Sequence, residues 1–505
     1  MSKTKFPANT NWTRRAFVTN SALAGAAACL PWAGSQLAIA QTASYDFYIS
    51  PNGSDSNAGT QSSPWAITAI NTKRSTYAGR RVGLLDGTYR TGGIAPYAGG
   101  YSPSLGVAAG TSGSPTVIQA VNQGAAILDH AGGGTGIIGA QDGTAGHFEL
   151  RGLRCINGPD FSVFIQRTSG RAEGIKVDSC ELGNSSSNKQ DITCAVFLQA
   201  TDDARITNCY FHDVANTTGS SRVSNVLQYG TRRTVIERCT FIGGGGGVHS
   251  KYAGGSPRTD DQETTVRQCY FRDVVIACRG FDNKDQTGPG PTAAPYGPFI
   301  IENNVFENCG HVLGNDGPFS SGSPVIVRNN TVYATSSGTK DGYNLHTWRA
   351  GCEPSYYNNI YYFGGSAAWG ELRALTLSSN GSTALANVVD YNCYGPGGVR
   401  WTTHSGYGYP FTGTYREHSS PAAWQAATSR DQTGRSLFSI DPQFTLSGTG
   451  PARFQLGANS PCRNAGRVGG VTSGAARHMG AWDGVVAQIG SSSGPVPSAV
   501  AVTVS

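Results

Sequence analysis

The sequence predicts an all-β chain, a single-stranded right-handed parallel β-helix with an N-terminal cap, and three observations carry that prediction. First, a six-residue pattern recurs: Val177-Asp-Ser-Cys180-Glu-Leu182, Ile206-Thr-Asn-Cys209-Tyr-Phe211, Ile236-Glu-Arg-Cys239-Thr-Phe241, Val266-Arg-Gln-Cys269-Tyr-Phe271, Ile301-Glu-Asn-Asn304-Val-Phe306, Val327-Arg-Asn-Asn330-Thr-Val332 and Tyr356-Tyr-Asn-Asn359-Ile-Tyr361. Second, successive Cys or Asn positions are separated by 29, 30, 30, 35, 26 and 29 residues, a period that marks a solenoid. Third, the 69 glycines and the lack of helical periodicity between copies indicate turn-dense β structure.

In such a stack each residue lies over its counterpart at the inter-strand spacing of about 4.8 Å. Cys180, Cys209, Cys239, Cys269, Asn304, Asn330 and Asn359 should therefore form one inward column. Its thiols would pack as small apolar fillers, and its amides would hydrogen-bond coil to coil. Most of the 12 cysteines fall in or near the periodic strands, and no C-x-x-C pair occurs. The expectation is buried free thiols rather than a disulfide scaffold.

Bulk composition bounds the rest. With 505 residues, 38% apolar and 14% charged, the chain can bury a large core, and a solenoid escapes the size ceiling of one compact domain. The net charge of +6 is spread without a Lys/Arg block. It permits a polyanionic partner, and no nucleic-acid-binding module is present. A monomer is expected.

From the N-terminus, Thr13-Arg14-Arg15-Ala-Phe17-Val18 precedes an Ala-rich apolar stretch, and Ala38-Ile39-Ala40 offers a small-residue cleavage site. Residues 1–40 thus read as a twin-arginine export signal. The apolar run is too short and too Ala/Gly-rich to span a bilayer comfortably. The expected product, with no membrane anchor once the signal is removed, is periplasmic or secreted. Residues 41–484 are assigned to the β-helix and 485–505, low in charge and rich in Ser and Val, to a disordered tail. A loop at Pro51–Pro64, a short capping helix within Ala66–Asn71 and a first coil at Arg81–Tyr89 follow from the Gly, Asn and Pro spacing. Beyond Phe363 the period blurs, and residues 366–440 read as longer loops and a modified cap.

The segment SPNGSDSNAGT followed by Asp86-Gly-Thr-Tyr89 resembles the start of secreted bacterial β-helix proteins of the polysaccharide lyase superfamily. Trp424, Asp431, Asp441-Pro442-Gln-Phe444, Ser460-Pro461-Cys462 and Met479-Gly-Ala-Trp482 are similar to their closing region. The alginate lyase and chondroitinase B family places a lysine at the end of one β-helix strand and an arginine at the end of the next coil's strand, with an Ile-Arg-x-Asn-x-Phe pattern between them. Here Lys251 and Arg279 flank Val266-Arg-Gln-Cys269-Tyr-Phe271.

That resemblance implies Lys251 as the base that removes the C5 proton of a uronate, and Arg279 as acid or carboxylate clamp. The substrate would be an acidic polysaccharide cleaved by β-elimination. An ordinary lysine pKa of about 10.4 makes a poor base at neutral pH; a cation one coil away and partial desolvation would lower it.

Polar residues at the ends of the apolar strands add candidate substrate contacts on one face: Gln228, Tyr229, His249, Asn315, Asp316, His346, Trp348 and Arg349. Sugar rings stack on aromatic faces and carboxylates pair with guanidinium groups. Calcium-dependent members of the family carry acidic residues shortly before the lysine, where this chain has Gly243–Gly247. No cofactor is therefore expected to be required. The acidic residues left to hold Ca2+ are Asp260, Asp261, Asp282 and Asp285, in nearby loops.

Two other readings stay open. A glycoside hydrolase on the same fold needs two carboxylates across the scissile bond, and Asp260-Asp261 is the adjacent acidic pair near the centre. A non-catalytic, glycan-binding or adhesive β-helix needs neither.

Overall fold

The computed structural model describes residues 44–481, apart from 99–101, 132–135, 142, 144, 159, 184–192, 213, 215–222, 252–262, 283–297, 315–322, 335–351, 364–372, 380–387, 397–399, 406–413, 433 and 468–477. The export signal and the C-terminal tail read from the sequence lie outside the described residues.

Each coil contributes one strand to each of two long parallel sheets and, over much of the chain, a strand to a third. The first sheet has 12 strands, from Phe47–Ile49 to Val388–Asp390, and the second has 12, from Gly87–Arg90 to Leu437–Phe438. The third has 8, from Pro103–Gly106 to His311–Gly314. Parallel neighbours joined through a whole coil are the right-handed crossover repeated, and the fold is a right-handed parallel β-helix. Among the described residues no helix is long and apolar enough to cross a membrane.

The recurring hexapeptide is the corner between the first and second sheets. Its apolar residues point inward, and the residue before each Cys or Asn adopts a left-handed conformation, φ 55° at Ser179, Asn208 and Asn303, 53° at Arg238 and 60° at Asn358. Non-glycine residues rarely accept this geometry. Here each backbone N–H is held by a carbonyl of the next coil, as in Asn208 N to Glu237 O (3.1 Å) and Asn358 N to Tyr391 O (3.0 Å).

The column itself is an inward ladder. Cys180, Cys209, Cys239 and Cys269 are buried free thiols, and burial pushes the first three well above the ordinary thiol pKa, so they act as apolar filler. From Asn304 onward the ladder is made of amides. Asn304 Nδ2 donates to Val266 O (2.9 Å) and Asn330 Oδ1 (3.1 Å), Asn330 Nδ2 to Ile301 O (2.9 Å) and Asn359 Oδ1 (3.1 Å), and Asn359 Nδ2 to Asn392 Oδ1 (3.2 Å). Two residues on, the aromatic rings stack as well: Phe211 on Phe241 at 4.6 Å and Phe241 on Phe271 at 4.5 Å.

Asn392 belongs to a further coil, formed by Val388–Asp390 and Cys393–Tyr394, so residues 366–440 are not only loops and cap. The ladder then ends on a fully buried carboxylate. Asp431 accepts from Asn392 Nδ2 (3.2 Å), Ser436 Oγ (2.7 Å), Tyr394 OH (2.8 Å) and Trp424 Nε1 (3.0 Å). Burial raises its pKa, and the four donors act in the opposite direction. Trp424 reaches it from the helix Pro421–Thr428, which Ser420 caps at its start by accepting from Ala423 N (3.1 Å).

At the other end, two helical turns, Ala69–Thr72 and Arg74–Tyr77, bury Ala69, Ile70 and Tyr77 against the first coil. They displace the single helix expected within Ala66–Asn71 by a few residues. Trp65 closes the preceding loop by donating from Nε1 to Asn57 O (2.8 Å) and stacking on Phe47 at 4.4 Å. Gly87, at φ 130° with Pro51 Cγ 2.8 Å from where a Cβ would stand, makes the first corner that another residue would block.

Candidate functional site

The third sheet carries the candidate residues. Its inward column is Leu105, Ile138, Val163, Val196, Val226, Val248, Cys278 and Leu313, all buried. Period-two alternation then assigns two outward columns. One runs Phe164, Phe197, Leu227, His249, Arg279 and Gly314; the other runs Gln141, Gln166, Gln199, Tyr229, Lys251 and Asp282.

This register corrects the expected pairing. Arg279 lies across from His249, not Lys251, because Gly246–Lys251 pairs with Ile276–Asp282 from Gly246 opposite Ile276 onward, and a slip after His249 then sets Asp282 opposite Lys251. The irregularity inserts one residue on the arginine-bearing strand. Lys251 thus holds the position between Tyr229 and Asp282, with Arg279 diagonal to it on the following coil. The register position directly across from the lysine is that of Asp282.

Gln228 is a second correction. It shares the inward register of Ile165, Leu198 and Ser250 and is fully buried, accepting from Thr231 Oγ1 (2.8 Å). Of the adjacent polar pair Gln228-Tyr229, alternation turns the glutamine to the core and leaves Tyr229, half-buried and 5.5 Å from the Phe197 ring, on the outer side.

His249 is buried, at 2% exposure, so it reaches neighbours on the sheet more readily than a bulky substrate. Arg279 is half-buried. The backbones of Lys251 and Asp282 are described and their side chains are not. Asn315, Asp316, His346, Trp348 and Arg349 lie outside the described residues, as do Asp260, Asp261 and Asp285.

A glutamine ladder leads into this centre. Gln141 Nε2 donates to Gln166 Oε1 (3.3 Å) and Gln166 Nε2 to Gln199 Oε1 (3.0 Å). Of the glutamines on these strands the sequence reading named only Gln228; the shared strand-final Gln of Gly136–Gln141, Phe161–Gln166 and Thr193–Gln199 is the signal for the ladder.

The coil arrangement is similar to that of several solved structures. Pectate lyase Pel9A matches at 15% identity and TM-score 0.44, covering 86% of this chain and 96% of that one. A family 6 polysaccharide lyase from Pseudopedobacter saltans matches at 13% identity and TM-score 0.38, covering 75% and 93%. The surface adhesin PfbA of Streptococcus pneumoniae matches at 10% identity and TM-score 0.41, covering 67% and 83%. Such likeness says nothing of activity. No protein-family profile and no curated protein matches the chain by sequence.

Calcium does not fit where the family resemblance would place its ligands. Gly243–Gly247 offer no side-chain oxygens, and a Cβ at Gly246 would lie 2.6 Å from Val223 O, one at Gly247 2.3 Å from Ala277 O. At Gly246 and Gly247 the backbone is packed too closely for acidic side chains. Among the described residues no group of three or more His, Cys, Asp or Glu converges on a common point.

Proposed function

We propose that this protein is a polysaccharide lyase that cleaves a uronate-containing acidic polysaccharide by β-elimination, with Lys251 as base and Arg279 as the group that neutralises the substrate carboxylate. The observation that supports this reading most is the grouping of Lys251, Arg279 and His249 at outward register positions of two adjacent strands, Gly246–Lys251 and Ile276–Asp282, of one sheet. Sheet neighbours stand about 4.8 Å apart, so the lysine and arginine positions are close enough to act on one sugar.

In the reaction, the lysine amine takes the C5 proton of the uronate. The electron pair passes into the carboxylate as an enolate-like intermediate, which an arginine that stays charged at all working pH values stabilises. The pair then returns to form the C4–C5 double bond as the C4–O bond breaks; the leaving oxygen takes a proton from water, and the lysine gives its proton back to solvent. His249, too buried to meet the polymer directly, is a positioning residue beside Arg279 in the same column.

The test is an ultraviolet absorbance screen for the unsaturated uronate, using mature protein against alginate, polygalacturonate, glucuronan and glycosaminoglycans, with and without EDTA. Absorbance that disappears in Lys251→Ala supports the lyase. New reducing ends without absorbance would transfer the site to a hydrolase, and binding without either product would make the protein a glycan-binding one.

A further inference from the structure

The outer side of the third sheet is already filled on one side of the candidate site. In the outward column that leads to Arg279 the first position is Gly106, and the Tyr97 ring lies against it, 2.4 Å from where a Cβ would stand. Tyr97 donates from its OH to Gln141 O (3.2 Å), and the Arg74 guanidinium sits over its ring, 4.8 Å from the centroid, while donating to Val107 O (3.0 Å). After Gly139 the same column runs Phe164, Phe197, Leu227 and His249. None of these four is more than 5% exposed.

Side chains in this column project away from the core inside the coils, so their burial means that further chain covers them. Phe164 stacks on Phe197 at 5.2 Å, and with Phe161, Cys194 and Leu227 they form an apolar cluster distinct from the main core. In the neighbouring column Gln199, one coil before Tyr229, is buried as well.

The filling stops at the site. Arg279, one coil beyond His249, is half-buried and is the first member of its column that solvent reaches; Gly314, which follows it, adds no side chain. A polysaccharide lying along the axis with a uronate at Lys251 and Arg279 therefore meets packed protein toward the N-terminal coils. To continue past Leu227 it would have to pull the aromatic cluster apart. Cutting within a chain needs room for sugar on both sides of the bond, and here one side is taken.

We infer that the site takes the end of a polysaccharide chain, with Phe197 and Leu227 as the residues that stop it, and that the enzyme is exolytic, releasing short products from that end. The exolytic cut rests on the lyase reading; the recognition of a chain end does not.

The experiment separates binding from cutting. The full mature chain carrying Lys251→Ala is titrated calorimetrically with alginate, polygalacturonate and glucuronan, each at a long and a short chain length. The wild type is followed on the long chains by absorbance, viscosity and product size. End recognition predicts one protein per chain at saturation whatever the length, and short unsaturated products from the start, with viscosity falling late.

A stoichiometry that grows in proportion to chain length would overturn the inference. So would early products of many sizes with an early collapse of viscosity, or neither binding nor cleavage with any of the three polymers. One protein per chain with no absorbance from the wild type would instead sink the lyase reading and leave the chain-end site standing.

Discussion

Replacing Asn330 by alanine tests the ladder directly. Asn330 is 1% exposed, and its side chain makes four hydrogen bonds. Oδ1 accepts from Asn304 N (3.0 Å) and Asn304 Nδ2 (3.1 Å), while Nδ2 donates to Ile301 O (2.9 Å) and Asn359 Oδ1 (3.1 Å). Two of the partners keep another bond: Asn304 Nδ2 still reaches Val266 O, and Asn359 Oδ1 still accepts from Asn330 N. The Asn304 backbone N–H loses its side-chain acceptor and the Ile301 carbonyl its side-chain donor.

A buried polar group left unpaired costs about 1–3 kcal/mol, and Ile301 stays within the sheet pairing, so the variant should lose about 1–3 kcal/mol through the Asn304 N–H. Asn330→Cys should lose less, because a thiol at the equivalent position of the earlier coils donates to the matching carbonyl, as Cys239 Sγ does to Ile206 O (3.5 Å). The assay is urea denaturation of the mature protein, comparing midpoints and slopes for the three chains. A loss under about 1 kcal/mol for alanine, or a cysteine variant no better than alanine, would refute the ladder as a source of stability.

Other predictions concern the face, the cap and the metal. Lys251→Ala should lower the rate of unsaturated-product formation by about 10²- to 10⁴-fold while leaving the far-ultraviolet circular dichroism unchanged. Gln228→Leu should leave that rate essentially unaltered while the buried Thr231 hydroxyl, losing its acceptor, costs about 1–3 kcal/mol of stability; a substrate-binding glutamine would instead show a raised KM. EDTA should leave the wild-type rate unaltered; a rate restored only by added calcium would refute the reading of Gly243–Gly247.

Asp431 titrates in the folded state above its ordinary value of 3.8 because it is buried. The folded chain therefore holds this proton more tightly than the unfolded one, and the associated stability is lost as pH rises above that value. The wild-type Tm minus that of Asp431→Asn should fall as pH rises above 3.8. A signed difference that rises with pH would contradict the sign.

The fold was legible because its signal is one-dimensional. A corner that must be turned in every coil repeats the same residue type, and Cys180 through Asn359 recorded it. The coil at Asn392 carries the same signal, Val389-Asp-Tyr-Asn392-Cys-Tyr394, 33 residues after Asn359, masked by the longer segments on either side. The site was less legible because register depends on single residues. Nothing in the composition of Ile276–Asp282 announces the register that sets Arg279 opposite His249, or the slip that then sets Asp282 opposite Lys251. At Gln228-Tyr229 both residues are polar, and the inward choice of Gln228 follows from the phase of the strand, which Val226 at a core position sets.

The asparagine ladder also has a direction. Each carboxamide from Asn304 to Asn359 donates toward the C-terminus and accepts from the coil before it. Aligned amide dipoles of this kind reinforce one another and gather partial positive charge at the leading end. There the chain places Asp431, an anionic group that accepts and does not donate when ionised. The spine is therefore an arrow with a stop. A coil could be spliced into its middle by carrying one more asparagine, but nothing could be added past Asn392 without a new acceptor to end on.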